Sequence, residues 1–361
     1  MRNMMFIAIL LLVFGLIGWT TWCFWRIVPL PVAGKWTVAA VYAGCFLLTF
    51  VHYALRESTP LWLGAVLYEV STSWMIFFVY ALILFTLLYL GRLCHIVPAS
   101  LLRDSWAGTA LVVGVVAAIL TYGGFHYHHK YREAIDIVTD KPLEKPLTLV
   151  LASDLHVGYH NRKAELGRWV DLFNAEHPDL VLLAGDIVDG ELRPVHEWNY
   201  AEVFRRLEAP VYASLGNHEY IGGERGSEAF YRQAGIRLLR DSVALDRGIR
   251  IVGRDDRSNR ERQPLSRLLP QTDSLFTVLL DHQPYHLEEA EQAGVDFQFS
   301  GHTHHGQIWP GNWITKLMYE KDYGAHRRGD TRYYISSGLG IWGGKFRIGT
   351  RSEYVVVTLH N

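Results

Sequence analysis

Cysteine is nearly absent. Among 361 residues there are three, Cys23, Cys45 and Cys94, all in the first third of the chain. That leaves no disulfide framework and no thiolate zinc site to read, since both need clustered cysteines at set spacings. Net charge is lacking too, with 35 Lys and Arg against 36 Asp and Glu. A neutral chain without a basic stripe is not built to neutralise nucleic-acid phosphates, so no nucleic acid is expected as a partner. Internal repeats and low-complexity tracts are also missing.

What is present is uneven. Residues 1–125 are strongly apolar, and the remainder carries ordinary charged, globular chemistry. Four apolar stretches, near 4–25, 36–55, 62–90 and 106–125, are each long enough to cross a bilayer. Trp19, Trp22 and Trp25 crowd the end of the first, as aromatic residues do at a membrane interface. The fourth is rich in Gly, Ala and Val, which suits close helix packing. Four spans put both termini on one side, and Lys141 and Lys145 tilt that side towards the cytoplasm. The expected organisation is a transmembrane helical domain at 1–125, a juxtamembrane linker at 126–146 and a catalytic domain at 147–361. His126, His128 and His129 are read as interfacial residues that end the fourth span, in preference to a metal cluster.

From Leu147 the rhythm changes to short apolar runs with polar residues after each. Leu147–Ala152 reads as a buried strand ending in Ser153-Asp154-Leu155-His156. Leu180–Ala184 ends in Gly185-Asp186-Ile187-Val188-Asp189, and residues 211–215 end in Gly216-Asn217-His218-Glu219. Residues 276–280 run into Asp281-His282, and 295–299 into Ser300-Gly301-His302-Thr303-His304-His305-Gly306-Gln307. Further strands are expected at Ile249–Gly253, 333–336 and 354–359, an amphipathic helix at 162–176 and a helix at 195–207. So many strands point to two packed sheets flanked by helices. Ligand sites form at the carboxyl ends of strands in such sheets.

His302 and His304 lie two residues apart, so they leave a strand end on the same side. With Asp154, His156, Asp186, Asn217, His218 and His282 they form a donor set of oxygen and imidazole without thiolate, which suits Mn, Fe or Zn. One carboxylate can bridge two ions. A two-metal centre holds its ions about 3.5–4 Å apart, activates a hydroxide at neutral pH and takes up charge on phosphoryl oxygens. Asn217 as a neutral ligand leaves such a centre positive and fit for an anionic substrate. His218 beside it suits a proton donor to the leaving oxygen, or a clamp on phosphate.

From 147 onwards the chain resembles the calcineurin-like metallophosphoesterases. The matching motifs are Asp154-x-His156, Gly185-Asp186-x-x-Asp189, Gly216-Asn217-His218-Glu219, His282 and Gly301-His302-x-His304, all in family order. The resemblance implies a four-layer α/β/β/α sandwich. It implies that Asp154, His156, Asp186 and His304 hold one divalent ion, and that Asp186 bridges to a second completed by Asn217, His282 and His302. It puts His218 at the acid position. The histidine motif and Ser336-Ser337-Gly338-Leu339-Gly340 look like the membrane-associated bacterial branch, similar to YaeI and YkuE type phosphodiesterases and to UDP-2,3-diacylglucosamine pyrophosphatases. The implied activity is hydrolysis of a phosphodiester or pyrophosphate bond in a lipid-linked or nucleotide-sugar lipid, at a bacterial inner membrane. Alternatives are a phosphomonoesterase, a cyclic-nucleotide-type diesterase, or a membrane sensor that binds metal and ligand without turnover.

Several neighbours stay open at this level. Asp189 and Glu219 fit either partners that orient metal-bound histidines or helix caps. His305, where the family usually has Gly, either touches substrate or points to solvent, the second being preferred. Asp255 and Asp256 are expected to stabilise a turn or pair with Arg254 or Arg257. Arg347 is a candidate phosphate clamp. Trp309 belongs to an apolar, base-flanked stretch after the histidines that could meet an acyl chain.

Overall fold

A computed structural model describes residues 2–269 and 274–361. The chain divides into two compact units, Met1–Phe125 with Gly343–Lys345, and His126–Trp342 with Phe346–Asn361. The first is helical: α1 (Arg2–Ile27), α2 (Val32–Leu55), α3 (Leu61–Leu93) and α4 (Trp106–His128). All four are long and apolar enough to cross a membrane. Only 17–28% of the residues in their apolar windows are buried, so most of this apolar surface faces outward, as lipid permits and water does not. Pro31 and Pro60 stand at the starts of α2 and α3, where a missing N–H leaves no helical bond unmade. Phe24 joins the helices, its ring 5.1 Å from Tyr42 and 4.9 Å from Phe85.

The second unit holds two six-stranded sheets. The strands are β1 (Lys130–Val138), β2 (Leu147–Ala152), β3 (Leu180–Ala184), β4 (Val211–Ser214), β5 (Ile236–Leu238), β6 (Ser242–Asp246), β7 (Ile249–Gly253), β8 (Thr277–Leu280), β9 (Phe297–Ser300), β10 (Gly324–Arg328), β11 (Thr331–Ile335) and β12 (Ser352–His360). One sheet runs β1-β12-β2-β3-β4-β5 and the other β10-β11-β9-β8-β7-β6. The helices are α5 (Lys163–Ala175), α6 (Leu192–Glu197), α7 (Tyr200–Phe204), α8 (Asn217–Gly222), α9 (Glu224–Ala234), α10 (Leu265–Leu268), α11 (Glu288–Gln292) and α12 (Gly311–Met318).

Strand alternation builds the layers, because successive side chains point to opposite faces. Leu149, Leu151, Leu180 and Leu182 meet Ile251, Val278, Leu280 and Phe297 in the core between the sheets. The intervening Val150, Val181 and Leu183 turn the other way, against Trp169 of α5, Phe204 of α7 and Phe230 of α9. Val252 and Leu279 do the same on the second sheet, against Leu265 of α10 and Ala290 of α11. The result is the four-layer α/β/β/α sandwich. Strands β2–β4 and β7–β9 run parallel. Being covered on both faces, they read as the continuous apolar runs seen in the sequence.

The segment expected as a linker at 126–146 is largely structured. Lys130–Val138 forms an edge strand paired in parallel with β12, with Lys130 opposite Ser352. Its signal is the alternation of Ile135 and Ile137 with charged residues, which proximity to the last helix obscured. The helix expected at 195–207 breaks into α6 and α7, because Asn199 takes a left-handed backbone at φ 51°. β5, β6 and β10 were not expected; they are short or edge strands with mixed burial.

The edge strand gives a direct test. Ile137 is fully buried between the sheets while its neighbour Val138 is 54% exposed. Ile137→Ala is expected to cost about 2–4 kcal/mol, and Val138→Ala less than about 0.5 kcal/mol. Thermal midpoints of the two variants check this, and equal midpoints would contradict the strand.

Candidate metal centre

The candidate ligands follow one local rule. Asp154, Asp186, His282 and His302 are each the second residue past a strand, after β2, β3, β8 and β9. The loops are sewn together by main-chain bonds: Asp154 N–H donates to Gly185 O, His156 N–H to Asp186 O, and Gly301 N–H to His282 O. Asp154, His156, Asp186, His302 and His304 all have positive φ, between 45° and 69°. Left-handed backbone costs a non-glycine residue about 1–2 kcal/mol, so five such residues in one place mark a site the fold holds under strain. Two glycines admit the carboxylates: a Cβ on Gly301 would strike Asp154 Oδ2, and one on Gly216 would strike Asp186 Oδ1.

Three groups of metal-ligating atoms result among the described residues: Asp154 with His156 and His304, Asp186 with His282 and His302, and His156 with Asp189 and His218. In the first, His156 Nε2 lies 3.1 Å from His304 Nε2, and His304 Nε2 lies 3.3 Å from Asp154 Oδ1. In the second, Asp186 Oδ2 lies 3.1 Å from His282 Nε2, and the same oxygen is 3.7 Å from His156 Nε2 in the first group. Asp186 thus stands between them. His282 Nδ1 faces the Ala184 carbonyl at 2.8 Å, so its N–H goes there and Nε2 is turned to the site. Asn217 Oδ1 is shut off from solvent with no hydrogen-bond partner among the described residues, a state a buried carbonyl oxygen tolerates poorly unless a cation meets it. The donor set fits two divalent ions.

The electrostatics tie the groups together: burial would lower His156 and His282, but the neighbouring carboxylates raise both, His282 well above its ordinary value. Burial would raise the Asp186 carboxyl, but His282, His218 and His156 around it hold it well below the usual range. Asp154 is lowered in the same way against its burial, chiefly by His304. Burial drives His302 and His304 down to about 4, so both are neutral at pH 7, the state in which imidazole binds metal.

Around these groups the open alternatives resolve differently. Asp189 Oδ1 is 3.2 Å from His156 Nδ1 and 3.5 Å from His218 Nδ1, within reach of both imidazoles. Glu219 instead caps backbone: it accepts from Gly216 N–H at 2.7 Å and from the N–H groups of Asp186 and Val188 at 3.0 Å. His305 does not point to solvent, because its Nδ1 faces Asp322 Oδ2 at 2.9 Å. Arg347 is not a substrate clamp. It is wholly buried, and its guanidinium donates to the main-chain carbonyls of His304, Ser337, Gly338 and Gly340. Burial pushes it down to about 10. Asp255 pairs with Arg240 and Tyr220, and Asp256 caps Ser258 and accepts from Gln283. Trp309 is 38% exposed and packs edge-on against Trp313 at 5.3 Å.

Asn161 went unnoticed in the sequence. Buried beside the first ligand loop, it donates from Nδ2 to the carbonyls of Leu155, His156 and Ile341. In the sequence it is an asparagine five residues past His156, with no pattern of its own. The site opens into a cavity of about 360 Å³ whose lining includes Asp186, His218 and His302 together with Ile314, Met318 and Trp342.

This sandwich and its paired Asp/His groups define a metal-dependent phosphoesterase. Residues 147–306 match the family model described as calcineurin-like phosphoesterase. The chain is 30% identical over 336 residues to an uncharacterized metallophosphoesterase of Helicobacter pylori, covering 88% of this chain and 89% of that one. It belongs to the metallophosphoesterase family, hydrolases that use divalent metals. Bacillus subtilis YkuE, an uncharacterized metallophosphoesterase, is 30% identical over 68% of this chain and 93% of its own. A Danio rerio transmembrane protein with metallophosphoesterase domain is 26% identical over 93% of this chain and 80% of its own, so that similarity extends through the helical unit. With four membrane-length helices, this is a membrane protein.

The Arg347 fan predicts its own cost. Arg347→Met strips the hydrogen bonds of four buried carbonyls and should destabilise by about 3 kcal/mol. Arg347→Lys should not rescue, since one ammonium cannot reproduce the planar fork. The readouts are thermal midpoint and bound metal; a stable variant with altered KM alone would return Arg347 to substrate binding.

Proposed function

We propose that the chain is a membrane-anchored, two-metal phosphohydrolase that cleaves a phosphodiester or pyrophosphate bond in a lipid-linked or nucleotide-sugar lipid substrate. The observation that carries it is the pair of Asp/His groups joined by one Asp186 oxygen at the floor of a half-apolar cavity. Asp154, His156 and His304 would hold one ion and Asn217, His282 and His302 the other, with Asp186 within reach of both. Bound there, divalent ions supply Lewis acidity, lowering the pKa of water towards neutrality and neutralising phosphoryl charge.

The protein groups then have distinct tasks. His218 lines the cavity with its Nδ1 towards Asp189, which turns Nε2 to the substrate side. It gives a proton to the leaving oxygen. One oxygen of Asp189 lies within 3.5 Å of both His156 and His218. The apolar wall receives the substrate's non-reacting portion and excludes water. The headgroup chemistry belongs to a bacterial inner membrane, with the catalytic unit on the cytoplasmic face that Lys141 and Lys145 favour.

Detergent-purified protein, metal-stripped and then supplied with manganese, should hydrolyse an aryl phosphodiester only in the second state. Asp186→Asn should abolish turnover and lower bound metal below two per chain, measured by elemental analysis. His218→Asn should keep both metals and lose about 10²–10⁴-fold in kcat. Absence of bound metal in the wild type would remove the two-metal reading.

A further inference from the structure

Helix α12 has its polarity reversed. Its inward anchor is polar: Thr315 donates from its hydroxyl to Asp322 Oδ2 at 2.8 Å. That carboxylate also faces His305 Nδ1, and the Asp322 carbonyl accepts from the Thr303 hydroxyl at 2.6 Å. The helix thus hangs by polar bonds from the loop that carries His302 and His304. Its apolar side chains face outward, with Trp313 57%, Ile314 60%, Leu317 89% and Met318 57% exposed, and none of its residues is buried. A surface helix of a water-soluble domain does the opposite, turning its apolar stripe to the core. Trp309 and Trp342, also exposed, widen the patch.

The occupant that fits is a lipid bilayer. Tryptophan and aliphatic side chains with a flanking lysine, here the exposed Lys316, make up a helix that lies in the headgroup region. The membrane is also always at hand. Only His129 separates the last membrane-length helix, ending at His128, from β1, starting at Lys130. The sandwich is thus tethered by one residue to a helix long enough to cross a membrane. Finally, the patch is continuous with the site, since Ile314, Met318 and Trp342 belong to the exposed surface and to the cavity wall alike.

We propose that α12 is an interfacial helix that seats the mouth of the metal centre in the headgroup layer. A membrane amphiphile then enters laterally, its phosphoester towards His218 and Asp186 and its chain along Ile314, Met318 and Trp342. The docking stands on α12 alone; the choice of amphiphile rests on the phosphoesterase reading above.

The test uses the full chain with its three cysteines replaced by alanine. A nitroxide is placed at Leu317→Cys, or at Glu208→Cys before β4, at the end of the sheet away from the metal groups. The protein is reconstituted in phosphatidylcholine–phosphatidylglycerol vesicles. Position 317 should collide with oxygen and be shielded from a water-soluble nickel chelate, and position 208 should show the reverse. Nickel access at 317 equal to that at 208 overturns the docking. So does shielding at 317 from both reagents, which is what a second copy or another protein covering the helix would give. Turnover is measured separately on methyl and hexadecyl p-nitrophenyl phosphate. The hexadecyl ester in vesicles should have a kcat/KM at least about tenfold higher, the worth of a few buried methylenes. Cleavage of the methyl ester without that preference overturns lateral entry while the phosphoesterase stands. Failure on both esters despite immersion removes the enzyme and the amphiphile together and keeps the docking helix.

Discussion

One buried carboxylate oxygen, Asp186 Oδ2, lies within 3.7 Å of imidazoles from both ligand groups, and the sandwich is arranged around that meeting. Asp154, His156, Asp186 and Asn217 come from ends of strands in one sheet. His282, His302 and His304 come from the other. The two groups built on Asp154 and Asp186 therefore mix the two sheets, Asp154 and His156 with His304, and Asp186 with His282 and His302. Neither group exists until the sheets pack. The Leu, Ile and Phe core between them sets the distances that the chemistry depends on.

The strain gathered at the site is held by bonds that look merely structural. Five ligand residues keep left-handed backbone, which the free chain would relax. Glu219 takes three backbone N–H groups from the Asp186 and Asn217 loops. Asn161 fixes the Asp154–His156 loop, and Arg347 fixes the carbonyl of His304. Removing any of them leaves every ligand in the sequence and loosens the centre, because a site this buried cannot borrow water to replace a lost partner.

The candidate ligands Asp154, Asp186, Asn217, His282 and His302 were legible because each follows an apolar run after one or two residues, and because glycine precedes Asp186, Asn217 and His302 where a Cβ would collide. The four membrane-length helices were legible from hydropathy alone. β1 was not: an edge strand needs only alternation, and Lys130–Val138 sits against the end of a membrane helix. Nor was the role of Arg347, since an arginine in a glycine-rich stretch looks the same whether it clamps substrate or a carbonyl fan.

The sequence by itself determined the donor chemistry, the strand-end placement of the ligands and the membrane character, because each is written in residue type and short-range spacing. Only the tertiary structure decided that His305 turns to Asp322, that Arg347 points inward, and that α12 carries its apolar face outward beside the cavity. Those are choices of direction. They depend on which partner another part of the chain presents, and no local pattern encodes that.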